Sequence, residues 1–186
     1  MMRLFVAIDL TPEIKNRLLQ LIENLKKKKA RVKWIIPNGM HLTIKFLGET
    51  SPEKLELIKE ILAKISKKFK PFYLILKKTG YFPEKSKKPR VLWVGVEADP
   101  TLYALKKELE KEFHKIGYLE EAREFIPHLT LGRVKFPNEI ESTIEELDRY
   151  KNSFFGEIRV KKIILFQSIL KPEGAEYIPL AEFLIG

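Results

Sequence analysis

Apolar positions recur at two different intervals along this 186-residue chain, and the two intervals alternate. The stretch RLFVAIDL (3–10) is almost continuously apolar, the pattern of a buried strand. In TPEIKNRLLQLIENLKKKK (11–29) the interval changes, and Ile14, Leu18, Ile22 and Leu25 fall on one helical stripe. Thr11 is an N-cap residue, Pro12 suits the first helical position, and the lysines suit the C-terminal end. VKWII (32–36) predicts a short strand, PNG a turn, and MHLTIKFLG (40–48) a strand with period two. Ser51 and Pro52 open a second helix, with Leu55, Ile58, Ile61, Leu62 and Ile65 towards the core. PFYLILKK (71–78) is another strand, followed by the polar loop FPEKSKKP (82–89).

The order then repeats. RVLWVGVE (90–97) is a strand, and Asp99 and Pro100 start a helix that runs to about Ile116. HLTLGRV (128–134) is strand-like, 138–150 helical, 157–170 one long strand, and 175–185 a last strand. Arg3 stands 38 residues ahead of His41, and Arg90 38 residues ahead of His128. This is duplication of layout rather than strong identity. It predicts an α+β domain spanning 1–186, its halves roughly 1–80 and 90–170. The two similar lobes are related by a pseudo-two-fold axis, with antiparallel sheets lining a central cleft and helices outside.

Composition narrows the chemistry. With no cysteine, disulfides, thiolate catalysis and cysteine zinc sites are excluded. No apolar run approaches a membrane span and no secretory leader is evident, which predicts a cytoplasmic protein without a membrane partner. The charged fraction of 32% suits the ion-pair networks of a thermophile, while the net charge of +10 favours an anionic partner such as nucleic acid. The lysine runs 26–29 and 84–89 read as solvated surface, each with the option of guiding a longer RNA.

Two of the three histidines open matching stretches, HLTIKFLG (41–48) and HLTLGR (128–133). Alternation in a strand turns Met40, Leu42, Ile44 and Phe46 towards a core, and His41, Thr43 and Lys45 the other way. In the second copy Leu129 and Leu131 face the core, leaving His128 and Thr130 on the open face. Arg133 falls on the core parity of its strand. Two sheets facing each other would therefore bring two histidines and two threonines to one cleft. His114, within KEFHKIG on a helix, reads as an ordinary surface residue.

Neither motif contains a carboxylate, and two histidines alone make a poor zinc set, so neither metal nor cofactor is expected. A histidine pair near neutrality offers one imidazole and one imidazolium, suited to concerted acid–base catalysis. Threonine hydroxyls suit the non-bridging oxygens of a phosphodiester as charge builds on them. Peptide or glycoside cleavage would want a nucleophile or paired carboxylates instead. The residues alone leave open which histidine is acid and which is base.

The segments MRLFVAIDL, VKWIIPNGMHLTIKFLGE, RVLWVGV and REFIPHLTLGR, with their paired H-x-T motifs, resemble the 2H phosphoesterase superfamily. More narrowly they resemble its RNA 2',3'-cyclic phosphodiesterase branch, also called 2'-5' RNA ligases. The resemblance covers essentially the whole chain. It implies metal-free hydrolysis of RNA or nucleotide 2',3'-cyclic phosphate ends to a 2'-phosphomonoester, with reversible, ATP-independent 2'-5' joining in some members. His41 would match the proton donor to the departing 3'-oxygen, and His128 the acceptor that activates water. Thr43 and Thr130 would match phosphate-oxygen donors, Arg133 a residue close to substrate, and Phe46 a stacking platform. Gly132, where some relatives carry a larger residue, would loosen the base pocket. The implied partners are RNA or tRNA fragments and small cyclic nucleotides, met by a monomer. The alternative is a non-catalytic module that grips an RNA end.

Overall fold

The structure is a computed structural model that describes residues 1–172 and 174–186. Among these described residues nine strands and four α-helices follow in order: β1 (Met2–Asp9), α1 (Pro12–Lys26), β2 (Val32–Trp34), β3 (His41–Thr50), α2 (Leu55–Ser66), β4 (Phe72–Phe82), β5 (Val91–Ala98), α3 (Pro100–His114), β6 (His128–Val134), α4 (Glu141–Asp148), β7 (Phe154–Val160), β8 (Lys162–Lys171) and β9 (Gly174–Leu184). The strands form two antiparallel sheets, ordered β3-β1-β8-β9 and β2-β6-β5-β4-β7. The order β6-β5-β4-β7 reproduces β3-β1-β8-β9, with β2 added beside β6. Each lobe thus places its histidine motif in the same relative strand.

Sheet membership crosses the boundary between the sequence halves. β4, from the first half, pairs with β5 and β7, whereas β8 returns to pair with β1. The stretch read as one strand over 157–170 is two, β7 in one sheet and β8 in the other, separated at Lys161. Continuous β propensity conceals this change of sheet, because each strand is locally ordinary and only its partner differs.

The helices start where the capping residues stand. The Thr11 hydroxyl accepts the Ile14 N–H at 3.4 Å, and Asp99 Oδ1 accepts the Thr101 N–H at 2.8 Å. Each helix lays its apolar stripe on the common core: Leu18, Leu21 and Leu25 from α1, Ile58 and Leu62 from α2, Leu105 and Leu109 from α3. Residues Leu4 to Ile8 of β1 are buried on both faces. One face meets that core; the other carries Phe5 and Ala7, which pack with Ile164, Phe166 and Tyr177 in a second cluster. α1 ends at Lys26, short of 29, and α4 covers only 141–148 behind a 3-10 turn at Pro137–Glu139. No helix among the described residues is long and apolar enough to cross a membrane.

Candidate active site

The two motif strands are built alike down to their irregularity. In the β1–β3 ladder Ala7 faces Thr43 and Val6 faces Lys45, so Ile44 is an extra residue. In the β5–β6 ladder Trp93 faces Thr130 and Leu92 faces Gly132, so Leu131 is extra. These two bulges lie three residues past the motif histidine, and the β1–β3 ladder carries a further one at Leu47, between the partners of Leu4 and Phe5. A bulged residue reverses the facing of the residues beyond it, up to the next bulge.

That reversal corrects the simple alternation. Phe46, on the core side by period two, is 63% exposed, and Arg133 is likewise turned outward. Both line the same cleft as His41, Thr43, His128 and Thr130. The reversal also sends Lys45 inward, where 1% of its surface remains accessible. Its ammonium donates to Glu110 Oε2 and to the Leu119 carbonyl, each at 2.7 Å. Gly132, equivalent to Lys45, does not open the base pocket. A Cβ there would stand 2.5 Å from Val32 Cγ1 and 3.0 Å from Trp34 Cε3, so the missing side chain lets β2 seat against β6.

The cleft has a volume of about 640 Å³ and draws lining residues from both sheets. His41 sits against an aromatic wall: its ring lies 4.8 Å from Phe5, 5.6 Å from Phe166 and 4.9 Å, edge-on, from Tyr177. Burial there pushes the imidazole down to about 4; the Asp9 carboxylate opposes that shift and the Lys15 ammonium adds to it. Asp9 is the ladder partner of His41, yet its Oδ1 is held at 2.8 Å by Lys15, which offsets much of its charge. An empty cleft therefore holds His41 neutral at pH 7. Between the unfolded value of 6.5 and the folded value of about 4 the unfolded chain binds more protons. The stability gained from burying a neutral His41 is complete above the upper value and is lost as pH falls through the lower one.

His128 is held differently. Its Nδ1 lies 2.7 Å from the Ile126 carbonyl oxygen. A carbonyl only accepts, so Nδ1 is the donor of this contact, and in the neutral ring the lone pair is then the one on Nε2. Phe82 meets the ring edge-on at 5.0 Å.

Sequence reading missed the aromatic wall and the segment between α3 and β6. That segment supplies Glu121, Arg123, Glu124 and Phe125 to the cleft, and Arg3 joins them from β1. A repeating apolar pattern would have revealed it, and YLEEAREF has none. Arg3 had a signal, since it shares the parity of Phe5. His114 ends α3 on the surface, 3.9 Å from Glu120. The 26–29 lysines and Lys85, Lys87 and Lys88 lie outside the lining of this cleft.

The comparisons with known proteins follow the duplication. The model of the family "LigT like Phosphoesterase" matches the chain twice, over residues 8–93 and 94–177. The chain belongs to the LigT-like phosphoesterase family. Within it, the RNA 2',3'-cyclic phosphodiesterase of Methanocaldococcus jannaschii is 37% identical over 182 residues, covering 98% of this chain and 100% of that protein. The RNA 2',3'-cyclic phosphodiesterase of Thermotoga maritima is also 37% identical, covering 97% of this chain and 94% of that protein. Among solved structures, TT0787 of Thermus thermophilus superposes with a TM-score of 0.84 at 29% identity, covering 99% of this chain and 98% of that one. LigT of E. coli complexed with 3'-AMP gives a TM-score of 0.77 at 25% identity, with 99% and 98% covered. This LigT-like phosphoesterase is thus an α+β enzyme of two similar lobes, with its matched motifs facing one cleft.

Proposed function

We propose that this LigT-like phosphoesterase opens 2',3'-cyclic phosphates at RNA or nucleotide ends to leave a 2'-phosphomonoester, using His41 and His128 as an acid–base pair without metal. The observation that carries the reading is the delivery of two matched His-Thr pairs, one from each sheet, to a single cleft. The names of the relatives and the 3'-AMP complex of E. coli LigT support a nucleotide phosphate as the substrate. His128, with its Nε2 lone pair free, takes the proton of the attacking water. His41 gives a proton to the 3'-oxygen as the P–O3' bond breaks. Thr43 and Thr130 donate to the non-bridging oxygens, and Arg133 and Phe46 engage the phosphate side and the base.

The test is product analysis on a 2',3'-cyclic nucleotide. A 2'-monophosphate supports the reading; a 3'-monophosphate reverses the assigned polarity, and tight binding without turnover leaves only an RNA-end-binding module. Thr43→Val and Thr130→Val should each lower kcat by roughly 10-fold or more with little change in binding, since each removes a donor to the transition-state oxygens. Unchanged kcat in both would remove the threonines from the mechanism. Among the described residues no group of three or more His, Cys, Asp or Glu forms a metal-ligand set. Turnover should survive dialysis against a strong chelator; loss that a divalent ion restores would overturn the metal-free reading.

A donor that rests at a pKa of about 4 must gain its proton with the substrate. An anion in the cleft favours the imidazolium, so binding should take up a proton, and affinity should rise as pH falls towards the value of the empty site. Sulfate is a suitable probe because it exchanges no proton of its own near neutrality. Calorimetry at about pH 6 in buffers of different ionisation enthalpy should show uptake of part of a proton per sulfate, absent in His41→Asn. Lys15→Ala should raise the His41 midpoint in an NMR titration. Sulfate binding without proton uptake would remove His41 as the donor.

A further inference from the structure

The cleft runs out, past Arg133, onto the β2–β6 edge of its sheet, and that edge is basic. Lys33 on β2 is the ladder partner of Arg133 on β6, and directly opposed residues share a face. Val32 and Val134, the next pair, pack against the core. The pairing continues one step past the strand ends, where the Lys135 N–H donates to the Arg31 carbonyl at 2.9 Å. Arg31, Lys33, Arg133 and Lys135 are all exposed, and among the described residues none of them forms an ion pair. The Arg31 guanidinium rests 4.8 Å from the centroid of the Phe136 ring, which holds that charge in place at the end of the row.

Other basic stretches of the surface are compensated. Lys26 and Lys28, in the lysine run 26–29, are bound by Glu23 and Glu146. Phe46 and Arg133 each stand five residues past their histidine, so they flank the cleft in equivalent places. Beyond Phe46 the exposed Arg3 faces the exposed Glu49 in the β1–β3 ladder, and the formal charges there cancel. Beyond Arg133 they add. The two cationic rungs, Lys33 with Arg133 and Arg31 with Lys135, lie two residues apart, about 6.7 Å along the strands. That step is close to the one between adjacent phosphates of an extended single strand.

We propose that this edge carries the RNA strand upstream of the cyclic end, with the first internal phosphate on Lys33 and Arg133 and the second on Arg31 and Lys135. The proposal rests on the cleft taking the cyclic phosphate, with the terminal base at Phe46 on one flank and the backbone leaving by the other. A cyclic mononucleotide has no phosphate for Lys33, Arg31 or Lys135 to meet. The row therefore sets a preference for oligonucleotide ends over free cyclic nucleotides. Contacts to phosphates carry no sequence information, so the preference depends on strand length and not on the upstream bases.

The test is a length series of oligoadenylates with a 5'-hydroxyl and a 2',3'-cyclic phosphate end. At low salt kcat/KM should rise from the mononucleotide to the dinucleotide and again to the trinucleotide, then level off, because the row has two rungs. Lys33→Ala should lower it by roughly 3-fold for both the dinucleotide and the trinucleotide, and Lys135→Ala for the trinucleotide alone. Neither should alter the mononucleotide. A neutral methylphosphonate in place of the first internal phosphate should abolish the effect of Lys33→Ala, and one in place of the second that of Lys135→Ala. A kcat/KM that ignores length, or that rises with length equally in the parent and both variants, overturns the proposal. So does a loss in either variant that persists when its phosphate is made neutral. Binding of a trinucleotide with a 3'-phosphate end, followed by calorimetry, separates this from the hydrolytic reading. Weakened binding in both variants of a protein that opens no cyclic phosphate supports the strand path and removes the hydrolysis instead.

Discussion

Alanine in place of His41 or of His128 is expected to lower turnover of a 2',3'-cyclic nucleotide by at least ~10²-fold, the usual worth of a general acid or base. The two losses should differ in character. His128→Ala removes the imidazole Nε2, the basic nitrogen left to the cleft because the Ile126 carbonyl engages Nδ1. Added imidazole is therefore expected to restore part of its activity. His41→Ala removes a ring packed against Phe5, Phe166 and Tyr177, and with it the acid-side stability cost of a histidine buried neutral. That variant should be less sensitive to unfolding between pH 6.5 and about 4 than the parent, even as its activity collapses. Circular dichroism and single-turnover rates on the same samples separate the two effects. Near-parental turnover in either variant would sink the acid–base pair.

Lys45→Ala carries the largest expected effect on stability, a loss of about 3–5 kcal/mol in denaturant unfolding. Lys45 lies under the bulge with its ammonium on Glu110, and Glu110 also binds Lys106. Lys106 in turn binds Glu121 at 2.8 Å, and Glu121 Oε1 accepts the backbone N–H of Phe46 at 3.3 Å. Burial alone would raise the Glu110 pKa, but its hydrogen bonds to Lys106 and Lys45 outweigh that and hold it below the carboxylate range. Its contribution is present above the unfolded value and is lost as pH falls through the lower folded one. Removing Lys45 leaves half of this arrangement uncompensated and frees the strand that turns Phe46 outward. Base-dependent KM should therefore rise along with the fall in stability. The double variant Lys45→Met, Glu110→Gln should recover much of the stability, because no buried charge is then left alone. A single Lys45→Ala variant within about 1 kcal/mol of the parent would mean that Glu110 finds water or Lys106 sufficient.

Most of the local structure was legible from the chain itself. The apolar intervals placed the helices, Thr11 and Asp99 marked two of their starts, and the repeated H-x-T strands named the residues that meet in the cleft. Each of these depends on neighbours within a turn or a strand, and such interactions leave a periodic trace. Where the trace failed, the deciding contact was distant. The division of 154–171 between two sheets follows from which strands are free to pair, and propensity carries no record of that. Phe46 and Arg133 reach the cleft, and Lys45 and Gly132 the interior, because Ile44 and Leu131 have no partner in β1 and β5. An alternating pattern assigns faces only while the ladder stays in register. The register is set by the neighbouring strand, so the chain alone determined the histidines and threonines ahead of each bulge, and only the tertiary structure decided every position beyond it.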